Sequence, residues 1–216
     1  MEVIKTSQAG SPARFGVVAA VITWAAAVGV GVVAMARYET TPGAPASAPR
    51  AWPAGAPLAR GEDRPTLVMF AHPRCPCTRA SIAQLAEIMV GASRPAMAYV
   101  LFYMPHNADA SWLETDAWRS ASVIPGVQAI RDEGGTVARR FGASTSGQVL
   151  VFDATGSLVF DGGITGVRGQ MGDNVGSSAV ATLLRRESAP AKQTPVFGCD
   201  LFAPTTCPLC GRKEGP

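Results

Sequence analysis

The hydrophobic pattern of this chain begins with an uninterrupted apolar stretch near its N-terminus. Residues 15–36, FGVVAAVITWAAAVGVGVVAMA, contain no charged side chain. At about 1.5 Å per residue they form a helix about 33 Å long, which is enough to cross a bilayer. We interpret this segment as an uncleaved transmembrane helix. The alternatives are a buried core helix, which would normally show a polar face, and a cleaved signal peptide, because residues 34–36 form an A-x-A pattern.

The apolar segments of residues 65–187 predict an open α/β domain. Short continuous apolar runs predict buried strands, and apolar residues at helical spacing predict helices between them. Two later runs are separated by Ala154, Thr155, Gly156 and Ser157, which is typical of a hairpin. The predicted elements are strand 66–71, helix 76–90, strand 97–104, helix 109–122, hairpin strands 149–153 and 158–164, and a last helix capped by Asp173 or Asn174 and ending near residue 187.

Two proline-rich segments flank this predicted domain. Residues 37–64 contain five prolines and seven alanines, a composition that extends rather than folds. We interpret them as a linker that holds the domain away from a membrane. Residues 188–216 contain five prolines and three cysteines with little periodicity, and they predict a Cys/Pro-rich tail that lies over the domain surface or is partly mobile.

Charge and the arrangement of segments around the apolar helix predict the partners and the cellular location of the domain. The net charge of +3 comes from 19 basic and 16 acidic residues without a basic stripe, so we expect no nucleic-acid partner. Basic residues on the two sides of the apolar helix nearly balance. The short N-terminal segment 1–14 and the long C-terminal part therefore decide the orientation. We predict a bacterial inner-membrane protein with a cytoplasmic N-terminus and a periplasmic domain, where cysteines meet an oxidising compartment.

The candidate chemistry lies where the first predicted strand turns into a helix. Cys75, Pro76 and Cys77 occupy this turn, and Arg74 and Arg79 lie close in sequence. The positive end of a helix dipole and nearby cations stabilise a thiolate. We therefore predict that Cys75 is a nucleophile and that Cys77 attacks the mixed disulfide that it forms. The alternative is a pair of small buried residues without reactivity.

This segment resembles the active site of the thioredoxin-like superfamily, and the resemblance covers residues 65–187. Phe70 precedes Cys75 by the interval found in membrane-tethered members, and Arg79 falls where their motif has an arginine. Residues 132–142 and the hairpin look like the later strand, helix and hairpin of the same group. The pattern His-Pro-x-Cys-Pro-Cys-Thr-Arg of residues 72–79 is similar to that of membrane-anchored RedB-like proteins.

The resemblance implies a thioredoxin-like sandwich behind a transmembrane helix. It also implies a thiol-disulfide oxidoreductase that acts on protein or small-molecule thiols and disulfides and needs no cofactor. Thr78 departs from the superfamily pattern, because it stands where the second cysteine is expected. The motif is therefore C-x-C, and a disulfide between Cys75 and Cys77 would close a small, strained ring through Pro76. Such a disulfide is easily reduced, which favours an oxidant or an isomerase.

Gly147 is the second departure from the superfamily pattern. It stands where the family has a cis-proline that faces the active-site cysteine, aligns the substrate backbone and discourages metal binding. Two further functions therefore stay open. One is a copper carrier in which Cys75 and Cys77 supply thiolates and His72 or His106 completes the ligands. The other is a thioredoxin-like interaction module without redox activity.

The tail cysteines are a separate group. Cys207 and Cys210 form a C-x-x-C pattern, and Cys199 precedes them. Three cysteines without a fourth ligand make a poor structural zinc site. We expect a disulfide among them, with the odd cysteine either free or able to reach Cys75 or Cys77.

Overall fold

A computed structural model of the chain describes residues 12–92, 96–185 and 187–202. The chain divides into two compact units, Met1–Glu39 and Thr40–Pro216. Helix α1, Pro12–Thr40, makes up the described part of the first unit and extends about one turn beyond each end of the apolar stretch. No residue in the most apolar 18-residue stretch of its segment Arg14–Thr40 is buried within the structure. By length and composition, this helix is able to cross a membrane.

Strands in the second unit form one mixed sheet. The strands are β1 Thr66–Ala71, β2 Met97–Met104, β3 Val127–Glu133, β4 Gln148–Phe152 and β5 Leu158–Gly163. Among the described residues, β1 and β2 run parallel, as do β2 and β3, whereas β4 is antiparallel to both β1 and β5. The strand order is β3-β2-β1-β4-β5, which places β1 in the centre.

Helices cover both faces of the sheet, which explains why β1 is a continuous apolar run. Successive side chains of a strand point to opposite faces. The helices are α2 Pro76–Gly91, α3 Asp116–Ser122, α4 Thr136–Arg140 and α5 Val175–Leu184. Leu67 and Met69 accordingly pack with α2, α3 and α5, whereas Val68 and Phe70 pack with α4.

The predicted helix over residues 109–122 is interrupted. A 3-10 helix, Ala110–Leu113, precedes α3. Thr115 separates the two, because its side chain accepts a hydrogen bond from the Trp118 N–H and caps α3. At α5, in contrast, the cap is Asn174, one of the two predicted candidates, and it forms a reciprocal pair of hydrogen bonds with Ser177.

Strand β3 was not predicted from the hydrophobic pattern. It carries three charged residues at its end, and most of its positions are exposed or half-buried. Asp132 is the buried exception, because its carboxylate accepts hydrogen bonds from the Val137 and Ala138 N–H groups and so starts α4. The strand therefore serves both the sheet and the following helix, which lies in the segment 132–142 that the resemblance indicated.

The predicted linker does not act as a free spacer, which corrects the expectation for residues 43–58. Trp52 donates its N–H to the Gly156 carbonyl at 2.7 Å. Its ring packs edge-on against Phe141 and Phe152, with centroids 5.1 and 5.2 Å away. The proline-rich backbone is irregular, as expected, but its apolar side chains bury against the domain. Further backbone bonds join Gly43 to Val196 and Ser47 to Gly142.

The described part of the tail lies over the domain surface. Its backbone pairs with β5, since the Asp161 N–H donates to the Lys192 carbonyl at 3.0 Å and the Thr194 N–H donates to Asp161 at 3.3 Å. Leu201 is fully buried in the apolar cluster around Phe70. Cys207 and Cys210 lie outside the described residues.

Candidate redox site at the start of helix α2

The turn between β1 and α2 positions Cys75. The Cys75 N–H donates to the His72 carbonyl at 3.1 Å, and the Cys75 carbonyl accepts from the Thr78 N–H at 3.1 Å. Cys75 is the N-cap of α2, with extended backbone (φ −82°, ψ 123°), and Pro76 begins the helix. Proline is favourable at that position because its fixed φ suits a helix start. The positive end of the α2 dipole therefore lies at the Cys75 thiol.

Three cysteine thiols meet at this helix end. Cys75 and Cys77 are only 3% and 6% exposed. Half-buried Cys199, from the tail, brings its Sγ within 2.9 Å of the Cys75 Sγ. None of these three cysteines forms a disulfide in the structure. The sequence left open that the odd tail cysteine is free or reaches Cys75 or Cys77, and the structure places Cys199 beside Cys75.

The thiols shift one another's pKa values in opposite directions. Hydrogen bonds with Cys199, and then with Cys77, lower the pKa of Cys75 far below its usual range, against the effect of burial. The pKa of Cys199 is raised, mainly by its hydrogen bond with Cys75 and then by its hydrogen bond with Cys77 and by burial. Cys199 lowers the pKa of Cys77, but hydrogen bonding to Cys75 and burial outweigh it and give a raised pKa. The directions of these pKa shifts favour Cys75 as the thiol of the group that loses its proton most readily.

Thr78, at the position of the superfamily's second cysteine, has a structural hydrogen-bonding role. Its hydroxyl donates to the His72 carbonyl at 3.1 Å and shares a hydrogen bond with the Ser146 hydroxyl at 2.8 Å. The Ser146 Oγ also accepts from the His72 N–H at 2.9 Å. All three residues are buried. Sequence reasoning did not single out Ser146, because nothing in its local pattern indicates that it reaches the end of β1.

Gly147 allows its loop to approach α2 closely. Its φ is +92°, and a Cβ at this position would lie 2.9 Å from the Ser81 Oγ. Its N–H donates to the Phe70 carbonyl at 2.7 Å. Proline has no N–H and a negative φ, so this backbone geometry does not suit proline. The departure from the superfamily pattern therefore has a local structural reason.

His72 is held within an aromatic cluster. Its ring centroid lies 5.9 Å from Tyr103 and 5.8 Å from Trp112, and its Nδ1 accepts from the Arg74 N–H at 3.2 Å. Burial lowers the pKa of His72, so the ring stays neutral at neutral pH. The Arg74 guanidinium stacks over Trp112 with its Cζ 4.2 Å from the ring centroid. The other candidate histidine, His106, packs its ring against the backbone of Gly134, which directly follows β3.

A groove of about 430 Å³ opens beside Cys75. Arg79 lies on its wall, where its guanidinium is 3.6 Å from the Asp116 carboxylate. Both side chains are mostly exposed, so their attraction is screened by water. Cys75 lines this groove although it is buried. In the described part of the chain, no three His, Cys, Asp or Glu residues are placed to hold a metal ion.

Comparisons find solved structures that resemble this one, and the two with TM-scores above 0.5 support the fold. A hypothetical protein from Sinorhizobium meliloti 1021 is 20% identical, with a TM-score of 0.52, over 74% of this chain and 97% of that one. An uncharacterized conserved protein from Geobacillus kaustophilus is 19% identical, with a TM-score of 0.53, over 76% of this chain and 100% of that one. A thioredoxin-family thiol:disulfide interchange protein from Chlorobium tepidum TLS is 15% identical, with a TM-score of 0.41, over 64% and 99%. No family model and no curated protein matches the chain.

The structure has a parallel βαβ unit with cysteines at the start of its helix, followed by an antiparallel hairpin and a last helix. The chain therefore has a thioredoxin-like fold, and the predicted fold class is confirmed. An apolar helix able to cross a membrane precedes this domain in the chain.

Proposed function

We propose that this chain is a membrane-anchored thiol-disulfide oxidoreductase of a RedB-like type. The observation that carries the proposal is the Cys75 thiol at the N-terminus of α2, with its lowered pKa and a second thiol in the same C-P-C turn. Helix α1 anchors the chain in a bacterial inner membrane, and the domain lies on the periplasmic side. The partners are thiols and disulfides of proteins or small molecules. The RedB-like type is supported by the sequence of residues 72–79.

The reaction begins with the Cys75 thiolate. It attacks one sulfur of a substrate disulfide that enters through the groove, and the other substrate sulfur leaves and takes up a proton. The product is a mixed disulfide on Cys75. A second thiol of the chain then attacks the Cys75 sulfur and releases the remaining substrate thiol. The low pKa of Cys75 also makes it a good leaving group in the reverse reaction.

Glutathione disulfide exchange tests this proposal on the full chain in detergent. Cys75→Ser should lower the exchange rate by at least about a hundredfold, because the reactive thiolate is lost. Cys77→Ser is the matched control, and it should still form the mixed disulfide. Equal reactivity in the Cys75→Ser variant would contradict the nucleophile assignment. A purified chain that holds one copper ion, lost in either variant, would support the carrier function instead.

Reporter fusions test the membrane arrangement. A reporter that is active only outside the cytoplasm should be active when fused after Arg50, and a cytoplasmic reporter should be inactive there. A mature protein that begins near Arg37 would show that the apolar segment is a cleaved signal peptide.

A further inference from the structure

We propose that Cys199, rather than Cys77, is the resolving cysteine for Cys75. This inference rests on the proposed function and assigns its second catalytic thiol. The two sulfur atoms lie 2.9 Å apart, although 124 residues separate them in the chain. A disulfide has a sulfur–sulfur distance of about 2.05 Å. Less than an ångström of approach therefore separates the observed arrangement from a covalent bond.

The tail backbone holds Cys199 in this position. The Cys199 carbonyl accepts from the Ser146 N–H at 2.8 Å, and the Leu201 N–H donates to the Ser144 carbonyl at 2.9 Å. Thr145 forms an antiparallel bridge with Asp200 between these bonds. The tail is thus paired with the loop before β4 over the residues that surround Cys199. This pairing delivers the thiol to Cys75 as part of the fold.

Residues on either side of Cys199 fix the same arrangement. Arg168 donates to the Gly198 carbonyl at 2.5 Å. A Cβ on Gly198 would collide with the Ser146 carbonyl, so only glycine permits the close approach of the two backbones. Beyond Cys199, Leu201 is buried, and the Phe202 ring lies against Tyr103 at 5.8 Å between centroids. The cysteine therefore lies between two anchored segments.

Cys77 is less suited to the resolving step. It lies in the first turn of α2, directly after Pro76, and a disulfide with Cys75 would have to close within this rigid turn. Cys199 belongs to a separate segment, so its bond to Cys75 closes a long loop without bending the helix start. Cys199 does not line the groove beside Cys75, so it approaches the sulfur from outside the substrate route.

The chemical steps balance with a disulfide substrate as the oxidant. After Cys75 has formed the mixed disulfide, Cys199 loses its proton and attacks the Cys75 Sγ. The bond between Cys75 and the substrate sulfur breaks as the bond between Cys75 and Cys199 forms. The substrate leaves as a thiolate and takes up a proton. The substrate disulfide gains two electrons, and the two thiols of the protein become one disulfide.

The lifetime of the mixed disulfide tests this assignment in the full chain, in a background in which Cys207 and Cys210 are serine. After reaction with glutathione disulfide, the adduct on Cys75 is trapped by acid and quantified by mass spectrometry. Cys199→Ser should lengthen the lifetime of the adduct by at least about tenfold, because the resolving thiol is absent. Cys77→Ser should leave it within about twofold of the background. Oxidised protein should yield a peptide linked through Cys75 and Cys199.

Gly198→Ala is a second variant that keeps all three thiols. Its added methyl group displaces the tail from Ser146, so it should also prolong the adduct and reduce the linked peptide. A linked peptide of Cys75 with Cys77, together with a long-lived adduct only in Cys77→Ser, would overturn the assignment while leaving the proposed function intact. Absence of any Cys75 adduct, even in Cys199→Ser, would instead show that the proposed function has failed.

Discussion

The Ser146 hydroxyl should be a principal support of the Cys75 turn. It accepts from the buried His72 N–H and shares a hydrogen bond with Thr78. In Ser146→Ala the His72 N–H loses this acceptor, and an unsatisfied buried donor costs about 1–3 kcal/mol. Thr78→Val keeps the shape of its side chain and removes its hydroxyl, while the His72 carbonyl still accepts from the Cys75 N–H. Its expected cost is about 0.5–1.5 kcal/mol, the net value of a typical hydrogen bond.

Urea titration of the full chain in a mild detergent, followed by tryptophan fluorescence, measures both free energies of unfolding. Ser146→Ala should cost more than Thr78→Val, with an unchanged slope against urea. The double variant should cost less than the two single variants together, because the two hydroxyls share one hydrogen bond. A Thr78→Val cost equal to or above that of Ser146→Ala would refute this reasoning. So would a Ser146→Ala cost below about 0.5 kcal/mol.

Three further measurements probe the site. Gly147→Pro should destabilise the domain by about 3 kcal/mol or more in the same titration, because it removes the N–H that donates to Phe70 and conflicts with a φ of +92°; a neutral effect would contradict this. Burial lowers the pKa of His72, so the folded state resists its protonation. The free energy of unfolding should therefore be highest above the unfolded-state pKa of about 6.5 and should decrease as the pH falls through the lower pKa of His72 in the folded state. This decrease should be smaller in His72→Asn, and identical pH profiles of the two proteins would contradict this role of His72. Leu201→Ala should cost about 2–5 kcal/mol and speed Cys75 alkylation, because it releases the tail beside Cys199; unchanged alkylation would show that the tail does not shield Cys75.

The sequence predicted best those strands and helices whose burial or ends are set by residues within the same element. Strand β1 is buried on both faces, so its apolar run predicts it directly. Helix α2 begins at a proline and was predicted to within one residue. Among the described residues, strand β3 pairs only with β2, and it carries exposed polar positions, so its pattern is weak.

The candidate site was predictable only in part, because some of its residues come from segments that are distant in sequence. Cys75 and Cys77 are adjacent to a strand end and a helix start, both of which are visible in the local pattern. Ser146 and Cys199 reach the site through backbone pairing between segments that are distant in sequence. Proline-rich composition indicates irregular backbone but does not show which surface that backbone covers. Gly198 is a local signal of close packing, but its partner is not encoded nearby.

The pairing of the tail with β5 has a consequence for the solubility of shortened forms. β5 is the outer strand on its side of the sheet, and the tail and the Arg50 carbonyl occupy hydrogen-bonding groups along it. An uncovered outer strand is a template for pairing with a second molecule. A form trimmed to residues 65–187 would expose these groups together with apolar surface that Trp52, Leu58 and Leu201 now cover. Such a form is expected to aggregate, so the flanking segments protect the domain from self-association as well as shaping its site.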